Sequence, residues 1–236
     1  GLSMNAAPAA PQAMAKSAAD SGAAVAESIT TVQTAGVDEG GIVKRVGDHL
    51  VILRRGRLFT VRVSDSGGDQ LKPIATLNAY APGSDPQGAW YDELLIHERT
   101  VVVVGYSHAR GGTEIGLFEL GNDGSLAWRA THHLKSHDYY SSRNYASRLV
   151  GSKLVFYTPS HLNAWALQPE QFMPQWQRWN AATPDNWQRI LPATRIYRSD
   201  DEIDPMNGGA ALHTVTACDL ARPAQMRCES SAVLAP

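Results

Sequence analysis

Several groups of side chains in this sequence have types and spacings that suit chemistry. His132-His133 is followed by His137-Asp138. Imidazoles with a carboxylate nearby are zinc or copper donors. Neighbouring residues of a strand point to opposite faces, so only one of the pair, taken as His133, can share a site with His137 without a turn. A polar outer strand running into a loop accounts for the same residues without a metal. Ser199 to Asp204 concentrates Asp200, Asp201, Glu202 and Asp204. Such oxygen donors suit calcium, yet the glycine and terminal glutamate of an EF-hand loop are missing, and a solvated acidic loop is the plainer reading. Asp38-Glu39 with Lys44 pairs two carboxylates with a cation. Paired carboxylates can divide acid and base roles when their environments separate their pKa values. Asp38 capping a turn explains them without catalysis. Trp165, Trp176, Trp179 and Trp187 crowd one stretch. Aromatic rings of this kind recur at interfaces and carbohydrate platforms, or simply fasten a stretch to its neighbours. No nucleophile elbow, phosphate-binding loop, dinucleotide fingerprint or zincin helix occurs, and nothing in the chain names a cofactor.

The elements that must position these groups are short strands. The chain has 236 residues, enough for one large all-β domain or two smaller ones, with 43% hydrophobic and 19% charged residues. A formal net charge of −2 gives no electrostatic case for nucleic acid or an anionic membrane. No apolar run is long enough for a transmembrane helix. No signal peptide is visible, and Gly1 reads as the start of a trimmed chain. Residues 1–28 are rich in Ala, Pro, Gln and Ser and carry no aromatic residue, which reads as a disordered tail or linker. An Ala-rich helix from Ala13 to Glu27 is the alternative.

From Ile42 the pattern becomes strand, turn, strand. Ile42 to Val46, Leu50 to Leu53, Leu58 to Val63 and Ile74 to Leu77 alternate with Gly47-Asp48 and Arg54-Arg55-Gly56 turns. The same order returns from Leu94 to His132 and begins again at Ala146. The second strands start at Leu50, Val101 and Leu154, a spacing near 50 residues that suits repeated four-stranded units. Unrelated hairpins in series are the competing reading. Val102 and Val155, in those second strands, are expected in the core. In the third repeat residues 159–209 interrupt the pattern. Within them Thr183 to Pro192 carries the cap, first-position proline and stop of one short helix. Cys218 and Cys228 flank Ala221-Arg222-Pro223-Ala224, a turn-like stretch. Across a hairpin they can face each other as a disulfide in an oxidising compartment, or they stay as two buried thiols.

Thr31-Val32-Gln33, Gly36-Val37-Asp38-Glu39 and Ile42-Val43-Lys44 keep one order and spacing. The run resembles the opening signature of the secreted β-propeller-domain family distantly related to WD-repeat proteins. It departs at Gly41, where that family usually carries an acidic residue. Ser147-Arg148, ahead of the Gly151 turn, also looks like the family. The resemblance covers Thr31 to about Thr158 well, Leu212 onward loosely and the insertion hardly at all. It implies an all-β fold: a partial β-propeller of about three four-stranded antiparallel blades, near residues 40–78, 92–133 and 145–235, with a partly helical insertion at 159–209.

Three blades do not close a ring, so the missing blades are expected from the rest of a longer chain or from a second copy. The expected function is an exported, non-catalytic binding or scaffold module for a protein or glycan partner, through its loops and the Trp-rich insertion. The alternative is an enzyme, a hydrolase or cofactor-dependent oxidoreductase, with its site at the propeller's central mouth. Fold alone does not separate the two.

Overall fold

A computed structural model describes residues 37–63, 71–135, 147–162, 172–182, 185–200 and 209–236. The N-terminal tail expected over residues 1–28 lies outside them.

The first sheet is a four-stranded antiparallel meander: β2 (Val43–Val46), β3 (His49–Arg54), β4 (Arg57–Val63) and β5 (Leu71–Asn78). Its tight turns use Gly47, Arg55 and Gly56, all at positive φ. The second sheet runs through β6 (Ala89–His97), β7 (Thr100–Ser107), β8 (Gly112–Leu120) and β9 (Leu126–Lys135) in the same order. The third is built on β10 (Ser147–Val150), β11 (Lys153–His161), β15 (Ala211–Asp219) and β16 (Cys228–Ala235). A short strand β1 (Val37–Glu39) pairs with the inner edge of this third sheet at β10.

The second sheet is the middle layer, and this decides which strands are apolar throughout. Val101 and Val103 pack with Val51, Leu53 and Leu58 toward the first sheet. Val102 and Val104 pack with Leu149, Leu154 and Phe156 toward the third. A strand covered on both faces must be apolar at every position, as Val101 to Val104 are. The outer sheets have one covered face. In β3, His49, Val51 and Leu53 are buried, with Leu50 and Ile52 half-buried. In β11, Leu154 and Phe156 are buried, whereas Val155, expected in the core, lies half-exposed on the other face. The register explains the correction: successive residues alternate faces, and the even-numbered ones of β11 face the second sheet.

The helix expected over Pro184 to Leu191 is not formed. Gln188–Arg189 is instead a strand, β13, paired with β12 (Gln175–Arg178), which is itself paired with β9. The second sheet thereby gains two strands from the insertion. A helix of two turns is marginal on its own in water. The open edge of β9 offers unpaired backbone groups that an extended segment satisfies at once. Further on, β14 (Ile196–Arg198) runs parallel to β16 along the outer edge of the third sheet. The described part of the insertion thus fastens two neighbouring outer edges. Among its described residues Phe172 is helical and Ala193–Arg195 forms a 3-10 turn.

Candidate functional site

The chain between β1 and β2 visits the inner edges of all three sheets. Asp38 and Glu39 lie opposite Leu149 and Arg148 of β10. Gly41 then exchanges two backbone hydrogen bonds with Leu94 of β6, and the chain enters the first sheet as β2. Lys44, 1% exposed, turns back and donates to Asp38 Oδ1 at 2.5 Å and to the Glu39 carbonyl at 2.6 Å. Arg148 Nε stands 3.6 Å from Glu39 Oε1. The Ser147 hydroxyl donates to Glu93 of β6. Burial raises the Glu93 carboxyl, more than the Ser147 hydrogen bond and the nearby Arg148 and Lys44 lower it. Gly40 leaves room for this carboxyl: a Cβ there would sit 2.9 Å from the Glu93 carboxyl carbon, and the Glu93 side chain would have to shift. Gly41, where the acidic residue of the resemblance is missing, has open space around it.

A second polar group crosses the middle sheet. Tyr91, Gly105, Glu114, His133 and Gln177 lie side by side on successive strands. Tyr91 donates its phenol hydrogen to Glu114 Oε1 at 2.7 Å. Glu114 Oε2 lies 3.0 Å from His133 Nε2. A carboxylate oxygen accepts, so that nitrogen bears the hydrogen. Gly105 makes the arrangement possible, because a Cβ there would lie 2.7 Å from the Tyr91 ring. Burial, and then Glu114, push the Tyr91 phenol well above its ordinary value, so it stays a hydrogen-bond donor. His132, the next residue, points the other way and stacks on Trp176 with centroids 4.8 Å apart. Burial lowers its pKa to about 3.

The far side of Tyr91 looks onto a cleft between the first and second sheets. Its volume is about 430 Å³, and Arg55, Arg57, Tyr80, Trp90 and Tyr91 line it. Tyr80 and Tyr91 stack with centroids 6.5 Å apart. Trp90 meets His108 edge-on at 5.2 Å. This cleft, unlike the two enclosed groups, is open to a ligand and falls in the size range of small-molecule sites.

The residues singled out from sequence separate accordingly. Asp38, Glu39, Lys44, Ser147 and Arg148 come together at the inner edges, and Val37 pairs with Val150. Trp176 is buried in the core between the second and third sheets, so its ring is a packing element there. Trp179 is half-buried, edge-on to Trp128 at 6.4 Å. Trp187, just before β13, is half-exposed. His133 is engaged with Glu114, and Asp200 sits in an exposed bend. Cys218 and Cys228 are opposite one another in β15 and β16 and form a disulfide. Gly36, His137, Trp165, Asp201 and Asp204 lie outside the described residues. Sequence reasoning passed over Tyr80, Tyr91, Glu93, Glu114 and the arginines of the β3–β4 turn. Arg-Arg-Gly-Arg was legible as a turn, and its charge density was the signal to follow.

The family model described as beta propeller domain matches residues 27–236. No curated protein and no solved structure matches the chain. The matched span takes in all three sheets and the strand that ties their inner edges, and the chain belongs to the beta propeller domain family.

Proposed function

We propose that this chain is a non-catalytic binding module that acts outside the cytoplasm and takes a protein or glycan partner at the cleft between its first two blades. One observation carries the reading: the open cleft has an aromatic wall whose central ring, Tyr91, is held from behind by Glu114. A preset aromatic surface binds with little ordering cost. The disulfide supports export, since such bonds persist in oxidising compartments. The test is a binding screen on glycan arrays and purified secreted proteins, run with the wild type and with Tyr80→Ala. The expected result is a ligand bound by the wild type and lost in the variant, with little change in melting temperature. A ligand that Tyr80→Ala binds as well as the wild type places binding elsewhere.

An enzyme at the central mouth is the second reading, supported by the raised carboxyl of Glu93 beside Ser147 at the inner edges. Turnover of a substrate that Glu93→Gln abolishes would favour it over the binding module.

A further inference from the structure

The hairpin between β3 and β4 brings Arg54, Arg55 and Arg57 to one rim of the cleft, all three exposed. Arg55 and Arg57 line it, and with Arg54 and Phe59 they also border a second hollow. Four other arginines have acidic partners: Arg62 with Asp48, Arg129 with Glu119, Arg148 with Glu39 and Arg195 with Glu229. Among the described residues these three have none. Like charges this close repel one another, and no carboxylate on the described surface offsets them.

The backbone adds a second cost at the same place. Arg55 has φ of 49°, in the left-handed region, and Gly56 follows at 69°. A two-residue hairpin with both φ positive favours Asn-Gly, and a long side chain at the first position is strained. Glu98, in the turn between β6 and β7, shares such a conformation at φ of 53°, so at Arg55 it is the outlier together with the cluster of like charge that points to a side chain kept for what it binds.

Three aromatic rings of the same cleft complete the site. Tyr80 and Tyr91 stack, Tyr91 is fixed by its bond to Glu114, and Trp90 is braced by His108 and Tyr106. We infer that the cleft binds an acidic saccharide, its ring faces against Tyr80, Tyr91 and Trp90 and its oxyanion held by Arg55 and Arg57. Planar guanidinium groups match carboxylate and sulfate in paired hydrogen bonds. The aromatic wall gives the apolar face of a sugar ring a surface to rest on. Nucleic acid fits less well. The chain carries a net charge of −2, and the cationic rim is confined to one hairpin, without a basic groove to follow a phosphate backbone. The inference rests on the binding-module reading and names its ligand class.

The test uses the whole chain on an array of matched glycans: uronate-bearing, sialylated, sulfated and neutral, with single-stranded DNA and a polyglutamate peptide alongside. Binding confined to acidic glycans is expected, and the carboxylated and sulfated arms tell which oxyanion is read. Titration calorimetry with the best acidic glycan then compares wild type, Arg55→Asn and Arg57→Gln. Each variant should lose about tenfold or more in affinity. Arg55→Asn should at the same time melt a few degrees higher, because Asn suits the left-handed turn. A merely structural arginine would show no loss of binding with that gain. Equal binding of neutral glycans, or full affinity in Arg55→Asn, overturns the acidic-saccharide inference and leaves the module reading standing. Preference for DNA or polyglutamate overturns it in favour of a different ligand class. No glycan binding at all overturns it too, and the screen against secreted proteins then decides the module reading separately.

Discussion

His132 and Lys44 are polar residues placed where the interior cannot hydrate them, and each makes a different demand. His132 is held neutral by burial, with Arg178 and His133 adding to the effect, and its pKa falls to about 3 against 6.5 in the unfolded chain. Between those values the unfolded chain binds a proton that the native one does not. Stability is therefore kept at neutral pH and lost as pH falls through 6.5 toward 3, at up to about 1.4 kcal/mol per unit. Glu93 acts in the opposite sense: its raised carboxyl contributes stability at low pH that is lost as pH rises through its native pKa. His132→Phe keeps a ring against Trp176 and removes only the proton uptake at this position. Its acid-unfolding midpoint, followed by tryptophan fluorescence, should move to lower pH, and an unchanged midpoint would show that His132 does not limit acid stability. Lys44 is enclosed with its charge matched by Asp38, whose side chain is 17% exposed. Removing one partner of a buried pair costs about 3–5 kcal/mol, most of it for the charge left behind. Lys44→Met should lower the urea midpoint accordingly, and Lys44→Met with Asp38→Asn should recover part of the loss.

Among the elements, β7 has the least freedom. Val102 is 0% exposed and faces the third sheet through Ile115, Leu117 and Leu154. Val102→Asp would bury an unpaired charge and should leave no cooperative thermal transition. A soluble variant with the wild-type melting temperature would contradict the three-layer packing. The β15–β16 hairpin is closed by Cys218–Cys228, with a sequence separation of 10. On the chain-entropy account, a loop of that length stabilises by roughly 2–3 kcal/mol. Thiol titration of denatured, unreduced protein should find no free thiol, and Cys218→Ser with Cys228→Ser should shift the denaturant midpoint by that amount. Two titratable thiols would remove both this contribution and the argument for export.

The molecule as a whole presents two sheet faces that nothing described covers. On the first sheet Val43 and Leu71 are exposed, and on the third Val150, Tyr157, Val215 and Val233. Tyr157 and Val215 are direct cross-strand neighbours, and Val233 lies opposite His213, whose ring stacks on Tyr157, so these three share one face of the sheet. Patches larger than a few hundred Å² are uncommon on soluble monomers and promote association. The described insertion strands run along the outer edges of the sheets instead of over these faces. The 25.5 kDa chain by itself should therefore scatter light as a species heavier than a monomer. Val215→Lys with Val233→Lys should lower that mass. A monodisperse monomer at tens of micromolar, before any substitution, would mean that these faces do not drive contact between blades.

What the sequence determined by itself was local. Alternating apolar residues between Gly47, Gly56, Gly124 and Gly151 dictate short strands joined by tight turns, because side chains alternate along a strand and glycine accepts positive φ. Consecutive strands with tight turns must pair antiparallel, so the meanders and the all-β fold were readable. The signature from Thr31 to Lys44 and the Ser147-Arg148 pair were readable as marks of a family. Asp38 and Lys44, six residues apart, were readable as a carboxylate–cation group, whereas the meeting of Ser147 with Glu93, 54 residues away, was not, because contacts across that separation depend on how sheets stack. The insertion went wrong for the same reason. Its cap and prolines favour a helix locally, and the open edge of β9, distant in sequence, drew it into a strand. Only the tertiary structure decided which face of β11 is core, because Val155 and Phe156 are equally apolar and only the position of the second sheet tells them apart. It also gathered Arg55, Arg57, Tyr80 and Trp90 into one lining, since a cleft between two blades exists only after both have folded and packed.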